Sequence, residues 1–320
     1  MKAVYIALMT ILLIFPNLSQ AQLTSPASLG NQINSQEIIL NPEAPQPNKE
    51  FSASLSSVEI GAEINWTLNG EVLERVKNQR NIELVAGEAG EDNRLIATII
   101  TSGQTRSVVT DFTPLSLDII IEPQTYSPRD YRGRSLPSEG SQVNATAILS
   151  GKDILPTDLV YRWEIGRNVI SNGRVRGLNK VSFEVPKGNF PLLSLEVRDL
   201  SGKVIAKRLI AMPSVTPSLV FYEKSLLYGM NELAIDNTFN LVGETALVEA
   251  VPYHLDSRVY NGPDIIEWKI NQSLSEPASG NPYEVNLQKN TEGGTARLNF
   301  HVRSRSNLIQ GARDTINIRF

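Results

Sequence analysis

From residue 37 onward, apolar and polar residues alternate along much of the chain, the period-two spacing of strands whose side chains point to opposite faces in turn. The clearest runs are Ile64-Asn65-Trp66-Thr67-Leu68, Tyr161-Arg162-Trp163-Glu164-Ile165 and Ile266-Glu267-Trp268-Lys269-Ile270. Each carries a tryptophan at its centre with apolar neighbours on the same face. These are the only tryptophans in the chain, and they lie 97 and 105 residues apart. A tryptophan on the inner face of such a strand marks the middle of an immunoglobulin-like sandwich core, so the spacing predicts three sandwiches in a row. The flanking aliphatic residues assign the three rings to cores rather than to sugar-binding platforms.

Around each tryptophan strand the same order of strands repeats. A preceding strand is predicted at 50–60, 142–149 and 245–251, and a following one at 81–86, 181–185 and 283–287. The next lie at 94–101, 192–199 and 296–303, and the last at 107–112, 204–211 and 314–320. Asn69-Gly70 and Ser201-Gly202 read as hairpin turns. With no long amphipathic helix, the expected class is all-β, three tandem immunoglobulin-like (PKD-like) β-sandwich domains at 37–114, 115–216 and 217–320. Thr113-Pro114 and Thr216-Pro217 stand at the two junctions, where one fixed φ per connection predicts a stiff array. Two stretches interrupt the pattern between the first and second strands of a unit. Residues 125–140 do so in the second and 226–244 in the third, and each is expected to pack its aromatics against the preceding unit or to bind a ligand.

Residues 1–21 read as a signal peptide: Lys2, an apolar run at 3–15, and the small-x-small site Ser19-Gln20-Ala21. Cleavage is expected after Ala21, followed by a flexible leader over 22–36. The apolar run of about 13 residues is shorter than the ~20 that span a bilayer, and no second one follows, so no membrane span is expected in the mature chain. The chain has no cysteine, which excludes disulfides, thiol nucleophiles and cysteine metal sites.

The insertions, the phrases Val220-Phe221-Tyr222-Glu223-Lys224 and Asn237-Thr238-Phe239-Asn240-Leu241, and the three tryptophan strands together resemble a family of exported proteins. These are tandem Ig-like, PKD-like proteins of reduced-genome candidate-phylum bacteria, and the resemblance covers most of the mature chain. It implies a structural or adhesive role outside the cytoplasm or at the cell surface, and supplies no functional residues to carry over.

Charge adds one detail. The formal net charge of −4 hides a basic middle: residues 117–215 hold 14 Lys/Arg against 10 Asp/Glu, while both flanks are acidic. Arg129, Arg132 and Arg134, and Arg174, Arg176 and Lys180, are candidates for contact with anionic cell-wall polymer; nucleic acid is not expected, because no stacking aromatics interleave them. The two histidines, His254 and His301, stand 47 residues apart and read as surface or strand residues rather than metal ligands. The acidic turn Gly87-Glu88-Ala89-Gly90-Glu91-Asp92-Asn93 is the best calcium candidate but lacks the alternating Asp/Asn register of a dedicated loop, and reads as a solvated hairpin tip. Asn65, Asn144 and Asn271 begin glycosylation-type tripeptides. Neither a nucleophile elbow nor a phosphate-cradling loop is present. The expectation is therefore an exported non-enzyme without cofactor or metal, a semi-rigid spacer or adhesin-like module whose partners are other cell-surface or envelope proteins. Strand addition at 316–320 is one route to such partners, although completing the third sandwich is the simpler role for that segment. The alternative is a carbohydrate-binding accessory module, which needs exposed aromatics in a row that the nine tyrosines do not show along the sequence.

Overall fold

The computed structural model describes residues 36–320 apart from Asp130, Ser171, Asn172, Asn189, Ser279 and Glu292. The expected signal peptide, its cleavage site and the leader lie outside the described residues. Residues 36–320 form one compact unit, and it is almost entirely β.

The first sandwich faces a sheet of order β1-β2-β5 with one of order β4-β3-β6-β7. Its strands are β1 (Ile38–Asn41), β2 (Glu50–Leu55), β3 (Glu63–Leu68), β4 (Glu71–Val72), β5 (Asn81–Val85), β6 (Asn93–Thr101) and β7 (Gln104–Phe112). The second follows with β8 (Ser116–Pro123), β9 (Gln142–Ser150), β10 (Leu159–Ile165), β11 (Asn168–Val169), β12 (Val175–Arg176), β13 (Lys180–Glu184), β14 (Leu192–Asp199) and β15 (Val204–Ala211). Its sheets run β13-β9-β8 and β11-β10-β14-β15, with β12 also beside β10. The third has β16 (Ser218–Ser225), β17 (Gly229–Ile235), β18 (Thr238–Asn240), β19 (Thr245–Tyr253), the short helix α1 (Ser257–Asn261), β20 (Ile265–Ile270), β21 (Ser273–Ser275), β22 (Glu284–Gln288), β23 (Thr295–Arg303) and β24 (Gly311–Arg319). There the sheets are β17-β16-β19-β22 and β18-β24-β23-β20-β21.

Each pair of sheets closes on one hydrophobic cluster, and each cluster is centred on a tryptophan that solvent does not reach: Trp66, Trp163 and Trp268. A buried indole N–H needs an acceptor. In all three sandwiches it finds a backbone carbonyl in the stretch after the tryptophan strand, on Gln79 (2.8 Å), Leu178 (2.9 Å) and Pro282 (3.0 Å). The ring therefore pins the crossing between sheets as well as filling the core. The Asn69-Gly70 turn has both residues at positive φ, the backbone of a tight hairpin whose twist matches its strands.

The expected strand at 50–60 stops at Leu55. Beyond Ser54 the partner strand β5 has ended, and the Arg80 guanidinium takes the carbonyls of Leu55 (2.9 Å) and Ser56 (2.6 Å) out of the ladder. The interruption at 226–244 is mostly ordered strand. β17 folds back on β16, and β18 crosses to pair in parallel with β24, burying Phe239 and Leu241 in the third core. Its apolar tip, Leu226, Leu227 and Tyr228, points to solvent and does not pack on the preceding sandwich. β24 has β23 on one side and β18 on the other, so the segment proposed for strand addition lies inside its sheet. The second sandwich keeps a vestige of the same crossing in a parallel bridge between Ser138 and Val215.

Candidate binding cleft between the second and third sandwiches

The stretch 125–140 leaves β8 at a Pro-containing, extended segment and lies against the third sandwich, not the first. Tyr126 N–H donates to the Leu255 carbonyl (2.6 Å), His254 N–H to the Tyr126 carbonyl (2.9 Å) and Ser257 N–H to that of Gln124 (2.9 Å). These bonds make a small antiparallel ladder across the junction, with Thr125 opposite Asp256. The expectation of bracing against the preceding neighbour is thus reversed in direction. The partner segment lies in the third sandwich, on the turn between β19 and α1.

Asp256 is the hub of the junction and is wholly buried. Its Oδ2 accepts the Gln142 N–H of the second sandwich (2.9 Å) and Arg258 Nη2 (2.9 Å), while Oδ1 accepts Arg258 N–H (2.8 Å) and Nε (3.0 Å). Its own N–H donates to Gln310 Oε1 (2.9 Å), and Gln310 Nε2 reaches Ser138 Oγ (3.0 Å) and the Glu139 carbonyl (2.5 Å). Burial pushes the Asp256 carboxyl up, but Arg258 and the two backbone donors outweigh it and hold the group below the ordinary carboxylate range. Arg258 continues to Glu184 on β13 (3.3 Å), and Asn307 donates to the Gly140 carbonyl (2.9 Å). Asp256, Gln310 and Ser138 thus bond to one another and to Gln142, Arg258 and Glu139, although the buried Ser214 hydroxyl in the adjoining linker has no partner.

Beside this network two walls enclose a cleft of about 630 Å³. Pro128, Tyr131 and Arg132 form one wall, Met230, Asn231 and Glu232 the other, and Tyr222 and Tyr253 the floor. Both interruptions of the strand pattern therefore meet here. The second wall exists because β17 bulges: Asn231 to Leu233 stand opposite Glu223 alone, so the pairing skips from Tyr222–Ala234 to Lys224–Met230. The hydroxyls of Tyr222 and Tyr253 are 2.9 Å apart, and the Tyr131 ring stands edge-on to Tyr253 at 5.4 Å and 75°. Burial, followed by the Tyr222 hydroxyl, pushes the Tyr253 phenol up. His254, adjacent, sits at positive φ with its ring buried, and its Nδ1 accepts the Leu136 N–H (3.2 Å). Burial holds its pKa below the usual imidazole value. A lone histidine in sequence reads as a surface or strand residue; here it is part of the junction.

The remaining candidates are scattered. His301 lies on β23 between Glu267 on β20 and Arg313 on β24. Asp92 in the acidic turn is bound by Lys152 (2.5 Å) and Thr113, where the first and second sandwiches touch, and Gly90 packs directly on Gly151. Among the described residues no three His, Asp or Glu side chains cluster at metal-ligating spacing. Arg174 pairs with Glu196 (3.8 Å) and Arg176 with Asp158 (3.4 Å), while Lys180 lies on β13 in the opposite sheet. Arg132 alone of the other trio lines the cleft. Asn65 and Asn144 lie in strands, and Asn271 in a turn at positive φ.

No family model matches the chain, and no curated protein matches it. Among solved structures it is similar to three N-terminal domains of the bacteriophage RB49 highly immunogenic outer capsid protein, at 13% identity over 89% of this chain and 97% of that one, with a TM-score of 0.25. It is similar also to the central fibronectin-III array of RIM-binding protein, at 11% identity over 89% and 96% with a TM-score of 0.27. A third likeness is to fibronectin(III)-like modules of Clostridium thermocellum CbhA, at 12% identity over 56% and 93% with a TM-score of 0.27. At these scores the likenesses carry no argument, and the all-β Ig-like class stands on the sheets themselves.

Proposed function

We propose that the chain is an exported, non-enzymatic structural and interaction protein whose modules at 37–114, 115–216 and 217–320 act as a semi-rigid spacer or adhesin-like unit at the cell surface. The observation that carries this reading is the network around buried Asp256, a set of bonds that ties the second sandwich to the third beside the cleft where both insertions meet. Such a fixed relation is what a presenting scaffold needs, since binding residues work best on loops held by rigid elements. The partners in this reading are other envelope or surface proteins. No helix among the described residues is long and apolar enough to cross a membrane.

The test is NMR relaxation on the full mature chain. In the native protein the second and third sandwiches are expected to share one rotational correlation time, and in Asp256→Ala to acquire separate ones. Independent tumbling in the native protein would overturn the reading. Export is checked by mass spectrometry of the secreted product, with Gln22 expected at its N-terminus and an intact Met1 counting against it.

A further inference from the structure

The surroundings of the cleft define what it can hold. Tyr222 and Tyr253 bond to each other, which leaves each hydroxyl with capacity for a further partner. Tyr131 is held over them by two means. Its ring meets those of Tyr253 and His254 edge-on, and the absence of a side chain at Gly133 leaves room for it, because a Cβ there would fall 2.5 Å from the Tyr131 Cζ. Arg132, Asn231 and Glu232 are exposed and carry planar polar groups. Among the lining residues the positive charge of Arg132 is matched by the negative charge of Glu232, so the lining itself is balanced in formal charge.

Aromatic faces with flat hydrogen-bonding groups around them, at balanced charge, suit a ligand with apolar C–H faces and a rim of neutral hydroxyls. That describes a sugar ring. The volume of about 630 Å³ falls within the ~300–1,000 Å³ of small-ligand sites. We propose that this cleft binds a short neutral oligosaccharide, with Tyr131 as stacking face, the Tyr222–Tyr253 hydroxyl pair as floor, and Arg132, Asn231 and Glu232 as hydroxyl partners. The assignment rests on the reading that the second and third sandwiches are one body, because Tyr131 and Arg132 come from one and the other groups from its neighbour.

Isothermal titration of the full mature chain with neutral trisaccharides of the β-glucan, xylan, mannan and chitin types tests it, with a uronate trisaccharide as the charged control. At least one neutral sugar is expected to bind saturably. Binding should weaken by at least ~10-fold in Tyr131→Ala and in Glu232→Ala, and stay unchanged in Tyr228→Ala, whose exposed ring lies outside the cleft. Both cleft positions are on the surface, so the variants should fold, and an unaltered circular dichroism melt confirms it. The proposal is overturned if no neutral sugar binds, if Tyr131→Ala leaves affinity intact, or if only the uronate binds. Shared tumbling of the two sandwiches without sugar binding would remove this assignment alone, whereas independent tumbling removes the reading beneath it.

Discussion

The ring of Tyr126 lies flat on that of Tyr260, with centroids 3.5 Å apart and planes inclined by 11°. Tyr126 belongs to the second sandwich and Tyr260 to α1 of the third. From there the contact runs inward, through Tyr283 (4.7 Å) and Phe300 (5.8 Å) to Trp268 (4.4 Å). A surface loop of one sandwich thus ends in the core of the next. An aromatic pair contributes about 0.5–1.5 kcal/mol beyond its buried area, and a half-buried ring loses less on truncation than the ~3–5 kcal/mol of a core one. Tyr126→Ala should therefore cost ~1–3 kcal/mol. Calorimetry of the full chain should show the third sandwich melting earlier and apart from the second; a single unshifted transition would contradict this.

Trp163 is sealed in the second core and donates to the Leu178 carbonyl. Trp163→Ala should cost ~3–5 kcal/mol. Trp163→Phe should cost ~0.5–1.5 kcal/mol more than its lost area alone, because it removes the donor to the half-buried Leu178 carbonyl. Circular dichroism melts decide, and an unchanged midpoint for the alanine variant would place the ring outside the core.

His254 sets a pH dependence with a definite sign. Burial lowers its folded-state pKa, while the unfolded chain protonates near ~6.5. As pH falls, the unfolded state takes up the proton first, so stability is full above that value and declines as pH drops through ~6.5 toward the folded-state pKa. Protonation would also turn Nδ1 from acceptor to donor against the Leu136 N–H. His301 shifts in the same direction, first through burial and then through Arg303, so the variant must isolate one site. His254→Asn keeps a residue tolerant of positive φ and should reduce the fall in denaturation midpoints between pH 7 and 5, leaving the part that His301 contributes. Asp256, also depressed, acts in a separate window: its contribution is lost only as pH falls below ~4.

Gly90 lies at φ +88, and a Cβ there would overlap the Gly151 carbonyl across the contact of the first and second sandwiches. Gly90→Ala should cost ~1–3 kcal/mol through strain at that φ and open the Lys152–Asp92 pair. Limited proteolysis near residues 87–93 should quicken; an unchanged digestion pattern would argue that this contact is loose already.

The cores were legible because they are local: Trp66 and its alternating neighbours announce a strand within five residues, and a period-two pattern leaves no choice of face. The position of both insertions was legible too, as breaks in that pattern. Their partners were not. Tyr126 finds Tyr260 through three-dimensional proximity that no short-range pattern encodes, and this is why the bracing was assigned to the wrong neighbour. The aromatic Tyr228 of the second insertion was expected to pack on the preceding sandwich, yet a hairpin tip puts it in water. The bulge at Asn231–Leu233 breaks alternation, so β17 was read as loop and one wall of the cleft was missed. Tyr131, Tyr222 and Tyr253 form no row in sequence because they come from three separate segments.

The parallel pairing of β18 with β24 has a mechanical consequence. Tension applied across the third sandwich would first peel β16 and then load this pair along its length. The Asn317 N–H to Asn237 carbonyl bond and the Leu241 N–H to Arg319 carbonyl bond would then resist together instead of opening one at a time like a zip. Among the described residues the second sandwich has there the short Ser138–Val215 bridge in place of a strand pair. Stretched in an optical trap, the third sandwich should yield last of the two, and a reversed order would deny β18 the role of clamp.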